Sequence, residues 1–207
     1  MYPSERNLIM AAKALSALFN PFYLPVVGLI LLFMFSYLSI LPWVYKLLVV
    51  ALVYVCTVLL PTYLIYLYRR YQGWSLVDLG VRERRLVPYV IGIVCYGLCI
   101  YLMRLHHIAH LMTSIVMAAL VIQVVCALVN LWWKISTHMA AIGGVVGAVF
   151  AFSVLFNYNP VWWISITIVI AGMLGTARMI LRQHTLRQVV VGFLVGVVCS
   201  CCAIWWL

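Results

Sequence analysis

Acidic residues are almost missing from this chain: Glu5, Asp78 and Glu83 are the only three among 207 residues. Three carboxylates do not make a cage for Mg²⁺ or Ca²⁺, which demand a full shell of oxygen ligands, so no resident metal or other cofactor is expected. Charge of either sign is scarce, at 8% of residues, against about a quarter in a typical soluble domain. Zinc-ligand spacing is also missing. Cys56, Cys95, Cys99, Cys126, Cys199, Cys201 and Cys202 all fall inside apolar runs, where free thiols pack as small hydrophobes. No Walker or dinucleotide fingerprint stands in a strand-to-helix context, which argues against nucleotide chemistry. No internal repeat is visible, which weakens a transporter built from inverted halves. The first apolar stretch has no small-residue cleavage site and reads as a retained span.

What remains is overwhelmingly apolar. Hydrophobic residues make up 68% of the chain and the mean hydropathy is +1.19, so lipid is the main solvent. A helix needs about 20 apolar residues to cross a bilayer core roughly 30 Å thick. Hydrophobic runs of that kind fall near 21–41, 47–68, 89–103, 109–131, 139–156, 161–177 and 189–206. The expected fold is therefore all-α, a polytopic transmembrane bundle of about six to seven spans. The whole chain, 1–207, is read as a single membrane-embedded domain, with residues 1–20 as an interfacial segment carrying Arg6 and Lys13 ahead of Asn20 and Pro21.

The net charge of +10 comes from 13 Lys and Arg. These sit in short connections between spans, which points to membrane topology and anionic headgroups, with no nucleic-acid partner expected. Alternating the loops between two sides puts Arg6, Lys13, Arg69, Arg70, Arg82, Arg84, Arg85, Lys134, Arg178, Arg182 and Arg187 on the amino-terminal side and only Lys46 and Arg104 opposite. The positive-inside tendency then turns the rich side to the cytoplasm of a multi-pass inner-membrane protein. Tryptophans at span ends, such as Trp43, Trp132, Trp162 and Trp205, suit interfacial belts. Gly143-x-x-x-Gly147 and Gly192-x-x-x-Gly196 predict close helix packing. His106, His107 and His110 have a spacing that could hold a metal on one helical face, on the opposite side, with a solvated helix end as the plainer reading.

Three polar clusters share the cation-rich side: Arg82 to Arg85 before Pro88; Lys134, Ser136 and His138; and Arg178, Arg182, His184 and Gln188. Ionisable groups near membrane depth invite a functional reading. Two histidines among several cations and almost no acids suit a phosphate anion, whose oxygens the cations hold while one imidazole attacks and the other moves protons.

These residues resemble the type-2 phosphatidate phosphatase superfamily, with its motifs KxxxxxxRP, PSGH and SRxxxxxHxxxD. Ala177, Arg178, His184 and Gln188 reproduce the third motif's spacing, with Ala for Ser and Gln for Asp. Ile135, Ser136, Thr137 and His138 keep the Ser and His of the second. Arg82 and Arg85, the latter three residues before Pro88, stand for the first without its spacing. The segment from Arg82 to Gly192 is similar to small bacterial members, and His184-Thr-Leu-Arg-Gln188 also resembles polyisoprenyl diphosphate phosphatases of the superfamily.

The resemblance implies a metal-independent lipid phosphatase working through a phosphohistidine. His184 would be the nucleophile and His138 the general acid and base. Arg178, Arg85, Arg82 and Lys134 would clamp phosphate oxygens, with Ser136 and Thr137 adding hydrogen bonds and Gln188 orienting His184. A Gln carbonyl accepts the ring N–H but supplies no charge to the imidazolium. The partners expected are a lipid phosphate substrate and membrane lipids; candidate substrates are polyprenyl diphosphate, phosphatidate and phosphatidylglycerophosphate. The alternative is a catalytically weakened lipid-phosphate binding or transport protein on the same scaffold. Superfamily members commonly carry their sites outside the cytoplasm, whereas the charge asymmetry favours the cytoplasmic side, and both placements stay open at this stage.

Overall fold

The computed structural model describes residues 3–73, 84 and 86–206. Every regular element among them is helical. The helices are α1 (Pro3–Leu18), α2 (Leu24–Phe35), α3 (Trp43–Gln72), α4 (Leu86–Leu105), α5 (His110–Trp132), α6 (Thr137–Phe156), α7 (Val161–Ile180) and α8 (Leu186–Trp205). The six from α3 to α8 are long and apolar enough to cross a membrane. Large apolar side chains such as Leu48, Val94, Val169 and Leu194 are exposed on them, a surface that only lipid solvates cheaply. The chain is a multi-pass membrane protein with an all-α bundle fold.

The stretch expected to be the first span, 21–41, departs from a regular crossing. Its helix, α2, has 12 residues, about 18 Å at 1.5 Å per residue, well short of the roughly 30 Å core. Ser36 ends it: the residue is extended, and its hydroxyl donates to Leu32 O at 2.6 Å and accepts from Leu38 N–H at 3.2 Å. A short 3₁₀ turn, Tyr37–Ile40, follows. The segment still runs the length of the bundle. Ser16, just ahead of it, meets His138 in the first turn of α6, while Tyr37 stacks edge-on against Phe156 at the far end of α6, with ring centroids 5.9 Å apart.

Helix α3 is 30 residues long, about 45 Å, so its Arg69–Arg70 end extends beyond an apolar core. It holds a π turn over Val55–Leu59. Pro61 explains it, because proline has no N–H for the carbonyl four residues earlier and its ring crowds that carbonyl. The loosened turn is secured by Thr57 Oγ1, which donates to Val53 O at 2.8 Å.

The most extensive contact is between α6 and α8, and the glycines of both helices build it. A Cβ at Gly143, Gly147 or Gly196 would overlap the carbonyl oxygens of Phe193, Val197 and Ala140 respectively. Backbones approach this closely only because the glycine at each contact carries no side chain, and in lipid such packing is a principal source of helix association. Among the described residues, three helix ends close with a left-handed residue that is not glycine: His107, Asn157 and Arg182.

Candidate functional site

The third cluster is built by the turn between α7 and α8. Helix α7 ends in a Schellman arrangement: Arg182 N–H donates to Met179 O at 2.9 Å and Gln183 N–H to Arg178 O at 3.1 Å, with Arg182 at φ 52°. That reversal returns the chain beside the helix it has just left. His184 follows and is buried at 6% exposure, as is Arg178 at 8%. Arg182 and Arg187 stay exposed, which suits headgroup contact.

Helix α8 then starts with a capping box of Thr185 and Gln188. Gln188 Oε1 accepts the Thr185 N–H at 3.2 Å, and the same oxygen lies 3.2 Å from His184 Nδ1. The Thr185 N–H can only donate, which settles that the amide presents its oxygen here. An oxygen can only accept, so Nδ1 of His184 carries the proton and, in the neutral ring, the buried Nε2 carries the lone pair. Local capping geometry thereby sets the tautomer in which Nε2 is nucleophilic.

The second cluster lies in the connection from α5 to α6. Ser136 holds the N-cap position of α6, is fully buried, and its Oγ meets no hydrogen-bond partner among the described residues. Thr137 and His138 open the helix half-buried, and Lys134 is half-buried in the connection. His138 Nε2 lies 3.2 Å from Ser16 O. Gly192 lets this connection settle on α8: a Cβ there would stand 2.7 Å from Ser136 O. A Cβ at Gly175, one turn before Arg178, would lie 2.9 Å from Val189 Cγ1 and 3.6 Å from both Met139 Sδ and Cε. The immediate neighbours of Arg178, His138 and Gln188 are thus packed together, and the two clusters share one end of the bundle. Arg82 and Arg85, expected to carry the first motif, lie outside the described residues.

A cleft of about 890 Å³ reaches this end. Arg69, His138 and Arg178 line one part of it, and Phe156, Tyr158 and Trp163 line it near the opposite end of the bundle. Between them its walls are mostly apolar, as at Ile115, Ile122 and Val145, with Gln123 as a polar exception. His184 is not among its lining residues. Arg69 counts in the sequence only among the topology-setting cations; its place on one helical face with Thr62, Ile65 and Tyr66, all cleft-lining, is the signal that ties it to the cleft. Ser16 could not have been found that way, because it lies 122 residues from His138.

The histidines at 106, 107 and 110 fall in and beside the exposed turn between α4 and α5 instead of on one helical face. No group of three metal-ligating side chains comes together among the described residues.

Residues 130–207 match the PAP2 superfamily. The match covers α6, α7, α8 and the last turn of α5, and so contains Lys134, Ser136, His138, Arg178, His184 and Gln188. It starts well after Arg82, where the resemblance was expected to begin, and the cations of the first motif lie outside it. No curated protein and no solved structure matches the chain. The match of this segment to the PAP2 superfamily points to phosphatase chemistry on a phosphate-bearing substrate at a membrane-embedded protein.

Proposed function

We propose that this protein is a metal-independent lipid phosphate or diphosphate phosphatase that works through a phosphohistidine on His184. The observation that carries the reading is the Gln188 oxygen, bonded at once to Thr185 N–H and His184 Nδ1–H, which leaves Nε2 of His184 as the attacking nitrogen. In the first step Nε2 bonds to phosphorus while the P–O bond to the lipid breaks, and protonated His138 gives its proton to the departing oxygen. In the second, His138 takes a proton from water, the water oxygen bonds to phosphorus, and the P–N bond breaks to restore His184. Arg178 neutralises the charge that spreads over the phosphoryl oxygens, with Lys134, Ser136, Thr137, Arg82 and Arg85 as further phosphate-binding residues. The apolar cleft beside His138 and Arg178 suits an acyl or prenyl tail, and phosphatidate, phosphatidylglycerophosphate and polyprenyl diphosphate are the candidate substrates.

A second reading, lipid-phosphate binding or transport without turnover, is favoured by one observation: His184 is buried and does not line the cleft. Phosphate release in excess chelator, measured across the three candidate lipids, separates the two. The phosphatase reading expects release by wild type, inhibition by vanadate, and a drop of roughly 10³-fold or more in His184→Ala. Binding of the same lipids with no release, by protein shown to be folded, would establish the second reading instead.

A further inference from the structure

Helix α1 lies wholly outside the segment that matches PAP2, yet it touches the site. Its inward face is read off the helical period: Ala12 and Ser16 are buried and Leu15 and Phe19 half-buried, while Arg6, Lys13 and Ala17 are exposed. Leu15 and Phe19 pack against the cluster formed by Met139, Ile142, Ala171, Leu174 and Val189. Met139 follows His138, Leu174 lies one turn before Arg178, and Val189 follows Gln188. Helix α1 therefore packs on α7, which carries Arg178, and on a cluster to which the helices of His138 and Gln188 also contribute. At the same place Ser16 O lies 3.2 Å from His138 Nε2.

We propose that α1 is a positioning element of the site, and that Ser16 is the positioning residue, holding His138 through its backbone carbonyl. The inference rests on the phosphatase reading above. A carbonyl oxygen can only accept, so Nε2 of His138 bears hydrogen and Nδ1 is the nitrogen that exchanges the proton in both steps. The two histidines are then held in opposite tautomers, His184 by Gln188 and His138 by Ser16. His184 is left with Nε2 to attack, and His138 with Nδ1 to donate and accept.

The test loosens α1 without touching the site, by Leu15→Ala/Phe19→Ala, with Leu15→Met/Phe19→Leu as the conservative control and single alanine variants in case the double variant does not fold. Each is made in wild type and in His138→Asn, and kcat and KM are measured on whichever lipid phosphate wild type hydrolyses. If α1 acts through His138, the alanine pair lowers kcat by about ten- to a hundred-fold, the range for partners that orient a functional imidazole, with KM within about two-fold. It produces no further loss in His138→Asn, because coupled residues are not additive. The conservative pair restores kcat. An equal fold-loss in both backgrounds would overturn the proposal. ¹⁵N NMR of histidine-labelled protein, with His138 assigned by its absence in His138→Asn, reads the contact independently of turnover. The Nε2–H tautomer is expected in wild type and a mixture in the alanine pair; an Nδ1–H ring in wild type would refute the contact. Absence of phosphate release from any lipid would defeat the phosphatase reading alone, and the NMR arm would still decide the contact.

Discussion

At Gln188 a single carbonyl oxygen receives two hydrogen bonds, one from the Thr185 N–H that opens α8 and one from His184 Nδ1. Helix capping and histidine orientation are therefore one structural feature, and the amide does both without a negative charge. Gln188→Leu is expected to lower kcat by roughly ten- to a hundred-fold and to cost about 1 kcal/mol at the helix end. Gln188→Glu keeps both acceptors, adds charge beside the imidazolium, and is expected to hold kcat at or above wild type. Phosphate release and thermal unfolding of the two variants measure this; a Gln188→Leu protein as active as wild type would remove Gln188 from the site. The spacing from Arg178 to His184 to Gln188 was legible in the sequence because a helix end, a tight turn and a helix start are local. The bonding of His138 was not, since nothing near His138 in the chain indicates that Ser16 will lie beside it.

Between elements, the decisive contact is α6 on α8, where glycines on both helices meet carbonyl oxygens directly. The small-residue spacing predicted close packing, and the structure shows that the two glycine-bearing helices are each other's partners. Because the opposing atoms are backbone, they cannot move aside as a flexible side chain would. Gly196→Leu is expected to cost roughly 3 kcal/mol or more, read as a lower unfolding temperature in detergent. The same change would displace Ser136 and His138 from Arg178 and His184, so phosphate release should fall with it. Leu at Gly172, where no neighbour lies within 4 Å of the Cβ position, is the matched control and should leave both measurements near wild type. The α2 segment departs from expectation for a comparable reason: hydropathy registers its apolar run but not the Ser36 hydroxyl that ends the helix after 12 residues.

Across the whole molecule, charge and the site share an end. Arg69, Lys134, Arg178, Arg182 and Arg187 gather where α3, α5 and α7 finish and α6 and α8 begin, while Lys46 and Arg104 lie at the opposite end. We expect the site end to face the cytoplasm, by the positive-inside tendency. In a cysteine-free background, Arg182→Cys should react with an impermeant thiol reagent only from the cytoplasmic face and Asn157→Cys only from the other; the reverse pattern would turn the site outward. Membrane residence, the six long helical spans and the local order of the third motif were determined by the sequence alone, because apolar run length, capping residues and motif spacing act over a few turns of chain. Tertiary structure decided which helices pair, which cations line the cleft and which stay exposed outside it, and that the amino-terminal helix reaches His138. Those outcomes depend on which surfaces meet once the helices are packed, and residues such as Ser16 and His138 come together only then.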